Sequence, residues 1–361
     1  MSLDGVNELK KTVGSPKSVL WEVKGIYPPT DAQRLYGYLL VTTANRLYNN
    51  GMRIGYIGNF DAPYSTENDR KWSLQMLGHD IVKFQENRTT VDDIKRFDLD
   101  LLIYSHTHGW KVEGLKKFFR TVPYPTVSVH LDKWAGLERE ADIGKEATWF
   151  TDFRFMADWS PRARKLYPPN TFQLKPGVIQ RDCYMANPDP IRFPFEVVFT
   201  GSSTYHKEYP FREKMVNFLK ETYGDRFGHF GAGGYPAVRG HDLNVLYATA
   251  KVVVGDVCFA NDLELGVNYV SDRFYEVRGR GGFLVHPRVK GYKMTGVATY
   301  KPQNLESLKE VIDFYLENDT KRQLLRIIGF NYVKQNCTYT HRSQEMLDVI
   351  KREMENKTSG A

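Results

Sequence analysis

Residues 271–285, SDRFYEVRGRGGFLV, combine a helix start, a carboxylate and three glycines ahead of an apolar run. Ser271 favours the N-cap of a helix and Asp272 its first turn, and the free amides and positive dipole end found there bind phosphate groups. Glu276 follows one turn later, on about the same face as Asp272 and Arg273, where a carboxylate can accept hydrogen bonds from ribose hydroxyls. The stretch predicts a nucleotide site. A capped helix with a charged, solvent-facing side is the structural alternative.

A second candidate for anion binding is FTGSSTYHKEYPFREK, residues 199–214. Gly201 and Ser202 follow a predicted strand, and small residues at such a turn allow backbone amides to approach an anion. Lys207 and Arg212 come next, in the loop and at the helix start, where their charges can neutralise phosphate. A surface turn flanked by solvated cations is the alternative interpretation.

The glycines that follow the first predicted strand do not form a dinucleotide-binding fingerprint. Gly55 and Gly58 occur within RIGYIGNF, but the third glycine of the fingerprint is missing. A nicotinamide-dependent enzyme is therefore disfavoured.

Hydrophobic periodicity predicts how these segments are positioned. From residue 51 onward, short apolar runs alternate with helical patterns, which is typical of parallel strands joined by helices. A Pro-rich segment interrupts this pattern, which restarts at FEVVFTGS. We therefore predict an α/β fold with two Rossmann-like domains facing each other across a cleft, where such sheets bind ligands. The predicted parts are an N-terminal extension with one helix (1–50), a first domain (51–170), a crossover linker (171–194), a second domain (195–335) and a C-terminal helix (336–361).

Composition narrows the functional classes. Hydrophobic residues make up 41% of the chain and charged residues 26%, as in ordinary globular proteins. No apolar run approaches the roughly 18 residues of a membrane span. Cys183, Cys258 and Cys337 are scattered, without metal-ligand spacing, which indicates a reducing cytoplasm. The net charge of +7 favours anionic partners but does not choose among nucleotides, nucleic acids and membrane surfaces.

The order of motifs between residues 195 and 347 resembles a known family. The segments G-S-S, KVVVGD, S-D-R-F-Y-E-V-x-G-x-G-G-F-L-V, VATYK and C-T-Y-T-H-R-S-Q-E-M-L are similar to the nucleotide-sugar half of GT-B glycosyltransferases. The nearest subgroup is the CgeB-like (spore maturation type) branch of the group 1 transferases. This resemblance implies hexosyl or pentosyl transfer from a nucleotide-diphosphate sugar, such as a UDP-sugar, with no further cofactor.

The resemblance also implies roles for individual residues. Glu276 would bind the ribose, the amides of Ser271–Arg273 the diphosphate, and Lys207 and Arg212 the phosphate charge. Related retaining transferases carry a second Glu eight positions before the ribose-binding one, and this chain has Asn268 there. Because Asn can bind a donor hydroxyl but supplies no charge, the choice between a retaining and an inverting outcome stays open.

Candidates in the first domain lie at the carboxyl ends of predicted strands. They are Asn59–Asp61, the pair His106 and His108, and the pair His130 and Asp132. We predict that His130 and Asp132 supply the base that deprotonates the acceptor hydroxyl, or the group that orients this base. A hydrogen-bonded histidine at a strand end is the alternative. The other histidine pair has no third ligand nearby in sequence, so no metal site is predicted.

The sequence leaves two acceptors open. One is a cell-envelope glycan, and the other is a hydroxymethylated base in DNA, a substrate of some viral enzymes of this fold. The basic, aromatic segments KKFFR, KWSLQM and RARKLY suit a phosphate backbone, and a DNA base would have to be flipped into the cleft. A viral enzyme would act in the host cytoplasm. The second functional class is a sugar-nucleotide or nucleic-acid binding protein of the same fold without transfer activity, which Asn268 keeps open.

Overall fold

The structure is a computed structural model that describes residues 51–105, 112–132, 147–204, 210–257 and 269–359. These residues form two domains, each built on a parallel β-sheet. The predicted N-terminal extension, residues 1–50 with its helix, lies outside the described residues. Among the helices that are described, none is both long enough and apolar enough to cross a membrane.

The first domain contains six strands and four helices. The strands are β1 (Arg53–Gly58), β2 (Asp80–Gln85), β3 (Leu101–Ser105), β4 (Thr126–His130), β5 (Phe153–Met156) and β6 (Thr171–Gln173). The helices are α1 (Thr66–Met76), α2 (Val91–Lys95), α3 (Leu115–Phe119) and α4 (Pro161–Leu166), with a 3₁₀ helix at Ala147–Phe150. The strand order is β2-β1-β3-β4-β5-β6, and all pairs are parallel. β3 and β4 are buried along their whole length, as expected for a parallel sheet covered on both faces.

The second domain contains five strands and most of the remaining helices. The strands are β7 (Val197–Thr200), β8 (Phe227–Phe230), β9 (Val252–Val254), β10 (Leu284–Pro287) and β11 (Val297–Tyr300). The helices are α5 (Pro210–Tyr223), α6 (Gly240–Thr249), α7 (Arg273–Gly279), α8 (Leu305–Glu317) and α9 (Asp319–Asn336), followed by α10 (Tyr339–Ser359), with 3₁₀ helices at Gln180–Asp182 and Gly224–Arg226. The strand order is β11-β10-β9-β7-β8, again parallel. Apolar clusters on both faces of this sheet form the core.

The two parallel sheets confirm the predicted α/β fold, with one correction at the crossover. β6 was expected in the linker that begins at residue 171, but it pairs in parallel with β5. This pairing satisfies backbone groups that would otherwise form an open edge of the sheet. The first sheet therefore extends to Gln173, and the crossover begins after it.

The C-terminal helix α10 returns to the first domain. It packs against α1, and Met346 and Ile350 join the apolar core of the first sheet. The chain thus passes between the domains twice, and the two passages contact each other. The amide of Val178 donates to the carbonyl of Cys337 (3.3 Å), and the amide of Tyr339 donates to the carbonyl of Val178 (2.9 Å).

The carboxyl ends of the two sheets border one cleft. β1 leads into α1 and β4 into Asp132 on the first-domain side, while β7 ends next to Gly201 and β9 shortly before Asp256 on the other. Residues from the ends of these strands line a shared cavity. Because open parallel sheets bind ligands outside their carboxyl ends, this cleft is where a functional site is expected.

A glycine before β11 provides a test of how tightly the second domain packs. Gly296 has a φ of +68°, and a Cβ there would lie 2.1 Å from Gly329 N and 2.7 Å from Leu325 O. Since both are backbone atoms of α9, we expect Gly296→Ala to lower the free energy of unfolding by about 2–5 kcal/mol in urea titrations. Gly224→Ala is the matched control. Gly224 has a φ of +52° but nothing within 4 Å, so only the backbone strain of about 1–2 kcal/mol applies. Equal losses in the two variants would contradict the packing argument.

Candidate active site

A cavity of about 390 Å³ lies between the domains. The first domain lines it with Tyr64, Thr66, Glu67, Asp69, Ser105, Val129, Leu131 and Asp132. The second domain contributes Thr200, Gly201, Arg239, Gly240, Leu243, Tyr247, Tyr269, Ser271, Asp272, Arg273, Glu276 and Arg280, and α10 adds Tyr339. Five of the predicted donor-site residues therefore line this cavity: Gly201, Ser271, Asp272, Arg273 and Glu276. Asp132, a predicted acid–base residue, lines it too.

Gly201 allows a guanidinium group to approach the end of β7. Its φ is +130°, and a Cβ at this position would lie 2.1 Å from Nη2 of Arg273. The amide of Gly201 donates to the carbonyl of Phe230 (2.7 Å), which fixes the turn against β8. The predicted small residue is therefore required by close contact with an arginine, and the turn places positive charge at the cavity wall.

Two buried charges, Arg212 and Asp256, and the partly buried Arg273 stabilise this wall. Asp256 accepts hydrogen bonds from Nε of Arg212 (2.7 Å) and from Nη1 of Arg273 (3.2 Å), and Arg212 also donates to the carbonyl of Ser202 (3.2 Å). Burial opposes ionisation of Asp256, but the two guanidinium groups outweigh it and hold the pKa of this carboxyl below its usual value. Two cations around one anion leave a net positive charge beside the cavity, as binding of a diphosphate requires.

The start of α7 differs by one residue from the prediction. Asp272 is the N-cap residue, not Ser271, and its side chain makes no capping hydrogen bond. The carbonyl of Ser271 accepts from the amide of Phe274 (3.0 Å), and the carbonyl of Asp272 accepts from the amide of Glu276 (2.8 Å). With its side chain released from capping, Asp272 lies in the cavity wall, where its carboxylate can contact a ligand.

Glu276 lines the cavity and is supported by a buried arginine. Nη2 of Arg280 lies 3.6 Å from Oε1 of Glu276 and 2.9 Å from Oδ2 of Asp182. Nη1 of Arg280 donates to Oδ1 of Asn244 (2.6 Å). The carboxylate of Glu276 is thus oriented from one side, while 27% of its side chain stays exposed toward the cleft.

The structure separates the two predicted acid–base residues. Asp132 lines the cavity, whereas His130 is buried at the end of β4 and packs near Trp149, with ring centroids 6.1 Å apart. His130 is not part of the described lining. Of this pair, Asp132 alone is placed to contact a substrate.

Two acidic residues of α1 were not predicted as site residues. Ser65 caps this helix by accepting from the amide of Asn68, and Glu67 and Asp69 in its first turn line the cavity. Thr66 donates to Oδ2 of Asp272 across the cleft (3.4 Å). The segment S-T-E-N-D directly after a strand was the available signal, but acidic residues are also ordinary in a first helical turn.

Burial and neighbouring charges change the protonation of two of these carboxyls. Burial, and then the nearby Glu276, raise the pKa of Asp69 to about 8, against the opposing effect of Arg181. The same two causes raise the pKa of Asp272 to about 7, although Tyr339 and Arg70 favour its ionised form. Both groups can therefore exchange protons near neutral pH, as acid–base groups in active sites do.

Some predicted residues cannot be placed. Lys207, Asn268, His106 and His108 lie outside the described residues. Within the described ranges, no group of three or more His, Cys, Asp or Glu side chains is arranged to hold a metal ion.

One known protein family matches part of this chain, in the second domain and α10. Residues 212–348 match a family model described as glycosyl transferase-like (Glyco_trans_1_2), which covers less than half of the chain. A comparison with curated proteins gives no match.

Solved structures share the whole architecture. An α-glucosyltransferase in complex with UDP-glucose and DNA containing an abasic site has a TM-score of 0.61 at 12% identity, covering 83% of this chain and 100% of that one. The sucrose-phosphate synthase of Thermosynechococcus elongatus has a TM-score of 0.57 at 11% identity, covering 84% and 99%. Anabaena HepE in complex with UDP and glucose has a TM-score of 0.56 at 11% identity, covering 83% and 99%. The chain has the GT-B fold of glycosyltransferases, as predicted; its assignment to the CgeB-like branch stays a prediction.

The pKa of Asp69 predicts a pH-dependent stability. Because it is raised to about 8 from 3.8, the folded protein retains a proton that the unfolded chain releases, and this stabilisation is lost as the pH rises through that window. In Asp69→Asn this loss is absent. We expect the free energy of unfolding of the variant, relative to the unchanged protein, to rise by roughly 1–3 kcal/mol between about pH 5 and about pH 9.

Asp61→Asn is the matched control for this measurement. Asp61 is exposed, and a hydrogen bond from Arg88 lowers its pKa, so it stays ionised over the whole range. The difference in free energy of unfolding between Asp61→Asn and the unchanged protein should therefore not grow with pH. If denaturant titrations gave Asp69→Asn and Asp61→Asn parallel pH profiles, the buried proton on Asp69 would be rejected.

Proposed function

We propose that the protein is a glycosyltransferase that moves a hexosyl or pentosyl group from a UDP-sugar to an acceptor hydroxyl. The observation that carries this proposal is the convergence of Gly201, Arg273 and Glu276 on one cavity between two Rossmann-like domains. The family match over residues 212–348 includes the latter two residues. Neighbours in fold are described with UDP or UDP-glucose bound, which supports a UDP-linked donor.

We propose one orientation for the donor on the second-domain wall. We assign the diphosphate to Gly201, Ser202 and the arginine pair Arg212 and Arg273, and the ribose to Glu276. In this arrangement the arginines stabilise the negative charge that develops on the leaving diphosphate as its bond to the anomeric carbon breaks. Lys207 and Asn268 lie outside the described residues, and their roles in the donor site stay predictions. These roles require no metal ion, since the guanidinium groups supply the positive charge.

The acceptor hydroxyl must lose its proton as it bonds to the anomeric carbon. Asp132 is the proposed base because it lines the cavity from the acceptor-side domain, whereas His130 does not reach this lining. Asp69 is a second acid–base group that lines the cavity, and its pKa of about 8 means that it is mostly protonated at neutral pH and can exchange this proton.

For the acceptor, we propose a hydroxymethylated base in DNA. The net charge of +7 suits a phosphate backbone, and an α-glucosyltransferase in complex with UDP-glucose and DNA shares the fold over 83% of this chain. Salt-sensitive retention on a DNA column would support this acceptor. Absence of retention at low salt would leave the cell-envelope glycan as the acceptor class.

Replacement of the ribose ligand tests the donor site. We expect Glu276→Ala to weaken UDP binding by about 10- to 100-fold in calorimetry, because hydrogen bonds to a charged carboxylate contribute about 1.5–3 kcal/mol. Glu310→Ala removes an exposed carboxylate of α8 away from the cavity and should bind UDP like the unchanged protein. Unchanged UDP affinity in a folded Glu276→Ala protein would refute the ribose assignment.

Release of UDP separates an enzyme from a binding protein. With a panel of UDP-sugars and DNA containing hydroxymethylated bases, we expect UDP to be released faster than with unmodified DNA. A protein that binds UDP tightly, with a raised melting temperature, yet releases none with any donor and acceptor would instead be a binding protein of the same fold.

A further inference from the structure

The charges that line the cavity are divided between its two walls. Arg239, Arg273 and Arg280 lie on the second-domain wall, where Glu276 faces Arg280 at 3.6 Å. Four other carboxyl groups lie where the first domain meets the start of α7, and these are Glu67, Asp69, Asp132 and Asp272. The cavity therefore has a cationic end and an acidic end.

Asp272 and its neighbour Ser271 each present one buried polar atom without a close hydrogen bond at the boundary between these ends. Oδ2 of Asp272 accepts from Thr66, and the hydroxyl of Tyr339 interacts with the same carboxyl group, but Oδ1 is buried and makes no hydrogen bond of ordinary geometry with the described residues. Oγ of Ser271 is likewise buried and without such a bond. Buried polar atoms are normally hydrogen-bonded. Because Ser271 and Asp272 both line the cavity, these two atoms indicate a bound ligand with a group that donates hydrogen bonds to them.

A buried arginine lies behind this point. Arg70 is completely buried and interacts with the hydroxyl of Tyr56, but none of its three guanidinium nitrogens makes a hydrogen bond of ordinary geometry with the described residues. Its guanidinium lies 5.9 Å from the ring centroid of Tyr339, which lines the cavity, and its charge favours ionised Asp272. The acceptor oxygen of Asp272 is thus electrostatically supported from the protein interior.

We propose that the transferred sugar is uncharged and that Asp272 and Ser271 bind one of its hydroxyl groups. This inference rests on the proposed function, in which the diphosphate contacts Arg273. Asp272 is the chain neighbour of Arg273, so a sugar linked to that diphosphate lies against the acidic end of the cavity. A hydroxyl group satisfies Oδ1 of Asp272, whereas a sugar carboxylate, as in a uronic acid, would meet like charges.

Calorimetry at about pH 8.5, where Asp272 is ionised, tests the inference with three probes: UDP, UDP-glucose and UDP-glucuronate. We expect UDP-glucuronate to bind at least about tenfold more weakly than UDP-glucose, because like charges face each other. Equal binding of the two sugars would overturn the inference and leave the proposed donor site intact. If none of the three probes bound, the proposed function itself would be rejected.

Variants of Asp272 test whether this residue causes the preference for UDP-glucose over UDP-glucuronate. Asp272→Asn should reduce the preference for glucose over glucuronate by at least about fivefold and leave UDP affinity unchanged, because the only part of the donor that this side chain is proposed to contact is the sugar. Asp272→Glu keeps the charge and should keep the preference. Asp348→Asn makes the same change in net charge on the exposed face of α10 and should alter neither quantity. A preference that persists in a folded Asp272→Asn protein would overturn the assignment.

Discussion

The carboxylate of Asp256 is the interaction on which the donor wall depends. It lies just beyond β9 and holds Arg212 of α5 and Arg273 of α7 at the end of the sheet. Removal of one member of a buried ion pair costs about 3–5 kcal/mol because the remaining charge has no partner. The two helices that would contact a phosphate are therefore ordered through one side chain. Gly201 belongs to the same arrangement, since any larger residue would displace the guanidinium of Arg273.

The acidic end of the cavity differs from the donor wall because, among the described residues, its carboxyl groups are not held by buried ion pairs of this kind. Its carboxyl groups come from both domains and are brought together only when the domains meet, so burial and mutual repulsion favour their protonated forms. Arg181 partly offsets this for Asp69, at 3.5 Å, and Thr66 contacts Asp272 across the cleft. The charge in this part of the cavity is consequently a property of the closed arrangement of the domains.

Much of the architecture could be predicted from the sequence because strands buried on both faces form largely apolar runs, as in β3 (LLIYS) and β9 (VVV). The motif around α7 correctly selected residues that line the cavity, and their donor-binding roles stay predictions. The cap was misplaced by one residue because Ser and Asp are both good caps. Spacing could not show that Asp132 faces the cavity while His130 does not, since this depends on how β4 ends. Nor could it identify Glu67 and Asp69, whose role arises only from packing between distant segments.

The double passage of the chain between the domains limits how the cleft can open. A single connecting segment would let the domains twist freely about it. Here the crossover near Val178 and the return near Cys337 are joined by backbone hydrogen bonds, and α10 is anchored in the opposite core. Twisting of one domain against the other would therefore strain these backbone hydrogen bonds, and this restrains the relative positions of Thr66 and Asp272 across the cleft.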